Sequence, residues 1–223
     1  MACQALLLCT CWQFAFPFSA RGEFVSYGVP HALSAKKPAL SVPSAADKRT
    51  IKKTSPSGRN TNAVKDVSKR RAAQKMTITN LFRKYNKKLN ERQATDYANF
   101  IMQASEKFGQ DPLVIAAVIV NESTVRHDAI SKGGDYGLMQ VRWKVHRGKI
   151  VKKYPHIKNA KDILNPQYNV LVGTEILSNH MASSQNLRGG LLRYSAGNHK
   201  LADKVVAVLN HLESSYLAQL QAL

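Results

Sequence analysis

Cysteine is nearly absent from this 223-residue chain: Cys3, Cys9 and Cys11 are the only ones, all within the first eleven residues. Beyond them no disulfide, thiolate metal site or cysteine nucleophile can form, so any core there is held by packing alone. Acidic residues are scarce as well, 14 against 33 Lys and Arg, which leaves a formal net charge of +19. Long apolar runs are missing too. No uninterrupted stretch approaches the roughly 20 residues that a membrane-spanning helix needs, which argues against an integral membrane protein. What the chain does have is a 44% share of hydrophobic residues, enough for a real core and too many for a wholly disordered basic protein.

The acids are not missing evenly. Between Lys36 and Lys75, 12 Lys or Arg stand against 2 Asp, and there is no aromatic residue. Such a segment buries too little apolar surface to offset the cost of ordering its backbone. A flexible, disordered basic linker or tail is therefore expected over 21–75. From Met76 to Leu223 the ratio is 20 basic to 11 acidic, with apolar residues at regular spacing. That predicts one folded domain over 76–223, close to the most common domain size. Ahead of the linker, Ala5 to Phe18 reads "ALLLCTCWQFAFPF". Residues 1–20 read either as a secretory signal cut after Ala20 or as sequence before a mis-called start, with translation from Met76. No Lys or Arg precedes the run, and bulky Phe18 stands where a signal prefers a small residue.

The domain has a helical period. In "TDYANFIMQASEKFG", Tyr97, Phe100, Ile101, Ala104 and Phe108 fall at steps of three and four, one face of a helix. Thr95 or Asp96 is the expected cap, and Gly109 the expected end. Asp111-Pro112 opens a second helix, with a carboxylate cap and a proline whose missing N–H the first turn leaves unpaired anyway. Its body, "LVIAAVIVNES", is apolar nearly all round, which places it at the centre of the fold. The segment from Val141 to Lys161 reads as basic and irregular. Asn165-Pro166 then repeats the start signal, with a helix to about His180 in which Gly173 lets a neighbouring helix approach closely. Gly189-Gly190 marks a further break before one or two final helices. No stretch alternates long enough to force a large sheet. The expected fold is all-α, or α with a minor β element, with five to seven helices around one buried helix.

Glu122 follows the apolar run directly, so helix geometry carries its carboxylate to the rim of the core. A Glu rarely sits there without a partner or a task. Partial desolvation raises its pKa, and a carboxylic acid still protonated near neutrality can donate to a leaving-group oxygen. The bland reading is a surface Glu closing a helix. After it comes a polar stretch to Ser131 and then "GGDYGLMQ". Gly133, Gly134 and Gly137 allow a tight turn, Leu138 and Met139 anchor it, and Gln140 supplies an amide. His127, His146, His156, His180, His199 and His211 show no ligand spacing, so no metal site and no cofactor are expected.

Those residues carry a resemblance. "ESTVRHDAISKGGDYGLMQV" resembles the signature of the soluble lytic transglycosylase family, with its goose-type lysozyme-like fold, through Glu122, Ser123, Ala129, Ser131, Gly134, Gly137, Leu138, Met139 and Gln140. "NPQYNVLVGTEIL" is similar to the family's second motif through Asn165, Pro166, Asn169 and Gly173. "RYSAG" is similar to the third through Tyr194, Ala196 and Gly197. The departures are Val125 for Phe, Asp135 for Ala, Arg193 for Ala and Ser195 for Asn. None removes Glu122.

The resemblance implies a lysozyme-like helical domain that cleaves the β-1,4 bond between N-acetylmuramic acid and N-acetylglucosamine in peptidoglycan without water. Glu122 is then the catalytic residue, first acid and then base, and a 1,6-anhydromuramic end is the product. Ser123 and Ser195 are expected at the substrate, Ser131 and Gln140 to bind substrate or hold the loop, and Tyr194 to face the scissile region and orient Glu122, with Tyr136 and Trp143 as stacking rings or core residues. Asp135 lines the cleft or faces water. Implied partners are peptidoglycan glycan strands and polyanionic cell-wall polymers, for a monomer in the cell envelope, periplasmic, secreted or phage-associated. Alternatives left open are a lysozyme-like hydrolase, a non-catalytic wall-binding or assembly protein and, from the basic run alone, a nucleic-acid binder. That last reading lacks aromatics for base stacking and a recognition helix.

Overall fold

The run from Leu113 to Val120, apolar at every position, becomes the central helix among the described residues. The computed structural model describes residues 61–223. Among them the helices are α1 (Thr61–Tyr85), α2 (Glu91–Phe108), α3 (Pro112–Ser123), α4 (Trp143–Lys153), α5 (Pro166–Ala182), α6 (Leu187–Tyr194) and α7 (His199–Ala222). Between α3 and α4 lies a two-stranded antiparallel sheet, β1 (Asp135–Tyr136) and β2 (Val141–Arg142), and a 3-10 turn precedes α5. The mainly helical fold with a minor β element is as the pattern predicts. No helix among the described residues is long and apolar enough to cross a membrane.

Helix α3 is buried along its whole apolar run, Ile115 to Ile119 completely. The Asp111 carboxylate accepts from Leu113 N–H at 2.7 Å, and Pro112 takes the first helical position. Helices α1, α2 and α7 pack around α3, while α5 packs on α2 and α6. Asn165 caps α5 from outside Pro166, as Asp111 does for α3. Gly109 ends α2 in the left-handed region at φ 64°.

Four expectations need correction. Residues 61–75, read as linker, are helix: α1 runs unbroken through Met76, and Ala73 is fully buried. Ala73, Thr77, Ile78, Leu81 and Phe82 form one buried stripe, too sparse at its start to stand out from the surrounding cations. The proposed signal over 1–20 and the linker up to residue 60 lie outside the described residues. Helix α2 starts four residues earlier than Thr95, because Asn90 and Gln93 form a reciprocal capping box. The "irregular" segment from Val141 contains α4, an eleven-residue helix whose buried member is Ile150. Ile150 joins Val141, Tyr154, Ile157, Ile163 and Val172 in a satellite core. Finally, Gly189-Gly190 is not a break but lies inside α6. A Cβ on Gly190 would overlap the Met181 side chain and come within 3.2 Å of its Cα, so this glycine serves close packing of α6 on α5.

Candidate active site

Glu122 sits in the last turn of α3, and the chain reverses immediately behind it. Thr124 and Val125 both take left-handed backbone angles, φ 52° and 59°. For β-branched residues these are sparsely populated conformations, costing of order 1–3 kcal/mol each. Packing holds them: Val125 is fully buried, and its carbonyl accepts from Asn86 Nδ2 at 3.0 Å. The helix therefore stops with the Glu122 carboxyl facing a cleft of about 500 Å³. Burial pushes the Glu122 pKa up to about 7, the Asp135 charge adds to the rise, and the Arg142 guanidinium opposes it. A carboxyl poised there can both give and take a proton near neutrality.

Asp135 also lines the cleft, but its carboxylate is engaged. Arg142 Nε and Nη2 donate to Oδ1 and Oδ2 at 2.6 and 3.0 Å, and Ser131 Oγ donates to Oδ2 at 2.8 Å. The Arg142 bonds chiefly hold its pKa below the usual carboxylate value. Ser131 thus holds the turn: its Oγ also accepts from the Gly133 and Asp135 amides.

The loop floor is pinned from α5. Asn169, with no exposed surface, accepts from Met139 N–H at 2.7 Å and donates to the Tyr136 and Ile163 carbonyls at 2.7 and 3.0 Å. Gly137, at φ 75°, lies against that amide so closely that a Cβ would overlap it. A Cβ on Gly173 would stand 2.6 Å from Met139 Sδ. The close approach read from Gly173 is therefore made by this loop, not by a neighbouring helix. Leu138 and Met139 are fully buried. Gln140 lines the cleft, with its Nε2 donating to the Ala129 and Gly137 carbonyls.

Tyr194 closes the site from α6. Its hydroxyl donates to the Met139 carbonyl at 2.7 Å, and its pKa is raised by burial and then by the Glu122 and Asp135 charges. Ser195 also lines the cleft; its single Oγ hydrogen is shared between the Leu192 and Asn198 carbonyls, both at 3.3 Å, and Ala196 and Gly197 turn the chain at φ 52° and 86°.

The structure thus brings Glu122, Asp135, Gln140, Tyr194 and Ser195 to one cleft. Ser123 is not there: it is buried, and its Oγ donates to the Ile119 carbonyl one turn back. Tyr136 and Trp143 pack against the satellite core instead. Arg142, His146 and His180 are cleft residues that no motif announced, and Arg193, noted only as a departure, joins them. Of these, His180 had a faint signal, since it shares a helix face with Ile176 four residues earlier.

Residues 99–215 match the Transglycosylase SLT domain family. A "Peptidoglycan-binding-like protein" of Escherichia coli O157:H7 is 34% identical over 105 residues, covering 43% of this chain and 62% of the relative. A "Putative peptidoglycan-binding-like protein" of Escherichia coli strain K12 is 34% identical over 105 residues, covering 43% of this chain and 65% of that protein. The match thus spans less than two thirds of either relative. The family match takes in the end of α3 with Glu122, the Asn169 clip on α5 and the Tyr194 turn, and the chain belongs to the transglycosylase SLT domain family.

Proposed function

We propose that this chain is a peptidoglycan lytic transglycosylase with a lysozyme-like site, in which Glu122 serves as acid and then as base. The observation that carries the reading is the division of labour between the two cleft carboxyls. Glu122 keeps its proton to about pH 7, while Asp135 is tied to Arg142 and Ser131.

Protonated Glu122 gives its proton to the glycosidic oxygen between N-acetylmuramic acid and N-acetylglucosamine. The C1–O bond breaks, the leaving sugar departs with a hydroxyl, and positive charge develops at C1. The N-acetyl carbonyl of the same sugar helps to stabilise that charge. The Glu122 carboxylate then takes the proton from the muramic C6 hydroxyl as that oxygen bonds to C1. The products are a 1,6-anhydro end and a re-protonated Glu122. The nucleophile belongs to the substrate, so its placement replaces a bound water.

Hydrolytic glycosidases of the usual kind need a second carboxylate to activate water or to attack C1. A carboxylate clamped by a guanidinium is a poor base and a poor nucleophile, and this argues for the water-free route. Ser131, Gln140 and Tyr194 act by fixing the loop that frames Glu122. The natural setting of such an activity is the cell envelope, in the periplasm, outside the cell or with a phage. In the test, purified full-length protein clears a suspension of cell walls, and Glu122→Gln loses at least about a hundredfold in rate, the scale of general acid–base catalysis. Wild-type clearance by that variant would remove the proposal.

A further inference from the structure

Cations, and groups that become cations, line the same cleft. Arg142 follows the loop at β2, His146 lies on α4, His180 on α5 and Arg193 near the end of α6. They lie close enough to act on one another: besides burial, Arg193 holds the His180 pKa down, and His180, Lys149 and Arg142 hold that of His146 down. Arg142 commits Nε and one Nη2 hydrogen to Asp135, which fixes the plane of the fork and leaves the Nη1 edge for another acceptor. Among the described residues Arg193 has no acidic partner. With Glu122 protonated and Asp135 neutralised by Arg142, the cleft carries uncompensated positive charge. A neutral sugar would not call for it.

We infer that Arg193 and the Nη1 edge of Arg142 bind a carboxylate carried by the sugar undergoing cleavage, and so set a preference for acidic glycan over neutral glycan. This rests on the proposed reaction in one respect. That reaction needs a free C6 hydroxyl on the muramic sugar, so an anionic group on that ring is borne by its lactyl arm. The carboxylate is then either the lactyl group itself or one on a peptide joined to it. A side pocket of about 170 Å³ shares His146, Ile176 and His180 with the cleft and continues to Lys149 and Asn179. It gives room for an arm that leaves the ring at this point. Glu175, in the same pocket, is bonded to Lys153 and to Tyr154 at 2.6 Å, so it does not repel an incoming anion.

The test measures binding by calorimetry in a full-length Glu122→Gln background, where nothing is cleaved during the titration. Four soluble ligands are compared: peptide-free strands with lactyl carboxylates, the same strands amidated, peptide-bearing strands, and peptide-bearing strands amidated. The carboxylated forms should bind about tenfold more tightly than their amidated partners, the size of one charge-assisted hydrogen bond. Arg193→Gln should abolish that difference, and Arg193→Lys should keep most of it. A difference confined to the peptide-free pair assigns the lactyl carboxylate, and one confined to the peptide-bearing pair assigns the peptide. Equal binding of carboxylated and amidated strands, or a difference that survives Arg193→Gln, overturns the inference. Neither result depends on whether the wild type cleaves, so failure here is distinct from failure of the lyase assignment.

Discussion

Asp135 and Arg142 are cross-strand partners whose side chains close a two-bond clamp at the cleft. The β1–β2 register sets their backbones opposite each other, and the four-residue loop between the strands carries Gly137, Leu138, Met139 and Gln140. The clamp decides which of two neighbouring carboxyls holds a proton. Asp135 is kept ionised by its hydrogen bonds to Arg142, while burial and the Asp135 charge keep Glu122 protonated to about 7.

The pH profile of the wall-clearing reaction should respond to each half of the clamp with opposite sign. In the proposed reaction the acid form of Glu122 is the active one, so kcat/KM falls as pH rises through its pKa in the free protein. Asp135→Ala removes a charge that raises that pKa, and the alkaline limb should move to lower pH. Arg142→Ala removes a charge that lowers it, and the limb should move to higher pH. Two profiles displaced in the same direction would show that the clamp does not set the Glu122 proton.

Stability should carry the same signature. The folded-state pKa of Glu122, about 7, lies above its ordinary value of 4.5, so folding is opposed once the group must ionise. The penalty is absent below pH 4.5, grows as pH rises, and is complete above 7, at about 3 kcal/mol. Glu122→Gln has no such penalty. Urea unfolding should show the variant gaining on wild type between pH 4.5 and 8 and matching it near pH 4. A gain independent of pH would mean that the carboxyl is not buried as described.

Asn169 should be the most sensitive polar residue outside the cleft. Asn169→Ala leaves the Met139 amide and the Tyr136 and Ile163 carbonyls without their partner. At about 1–3 kcal/mol for each unsatisfied buried group, a loss above about 3 kcal/mol is expected. Asn169→Asp should be only partly tolerated, because it keeps the acceptor and removes both donors. A change below about 1 kcal/mol in chemical denaturation would contradict the clip.

Two helical glycines should respond oppositely to alanine. Nothing lies within 4 Å of a Cβ at Gly148 in α4, so Gly148→Ala should stabilise by about 0.5–1 kcal/mol through helix propensity. Gly190→Ala in α6 meets Met181, including backbone that cannot give way, and should destabilise by about 1–3 kcal/mol, the cost of overpacking. Thermal melts of the two variants against wild type separate these cases.

That contrast shows where the sequence could be read and where it could not. The two Asx-Pro starts and the all-apolar α3 were legible because each rests on local chemistry. The place of Glu122 at the rim of the core was legible because it directly follows the buried run. Gly190 was misread because a glycine that ends a helix and one that admits a neighbour look alike until the neighbour is known. The first part of α1, residues 61–75, reads as linker because Ala73 gives a basic segment little apolar pattern. Ser123 reads as a substrate residue because a hydroxyl's partner is a tertiary fact, and here the partner is the Ile119 carbonyl; Ser131, expected either at the substrate or holding the loop, holds the loop through Asp135. His146 and His180 come together from α4 and α5, a convergence that spacing along the chain does not record.

The most direct test of the central claim is the mass of the products released from purified peptidoglycan by the full-length protein. Attack by the muramic C6 hydroxyl leaves anhydro ends, whereas hydrolysis leaves reducing ends heavier by one water. With Asp135 clamped and Glu122 acting alone, the account predicts anhydro ends as the main product, unchanged in kind by Asp135→Ala and absent with Glu122→Gln. Hydrated ends as the main product, lost on Asp135→Ala, would contradict it and make the protein a lysozyme-like hydrolase.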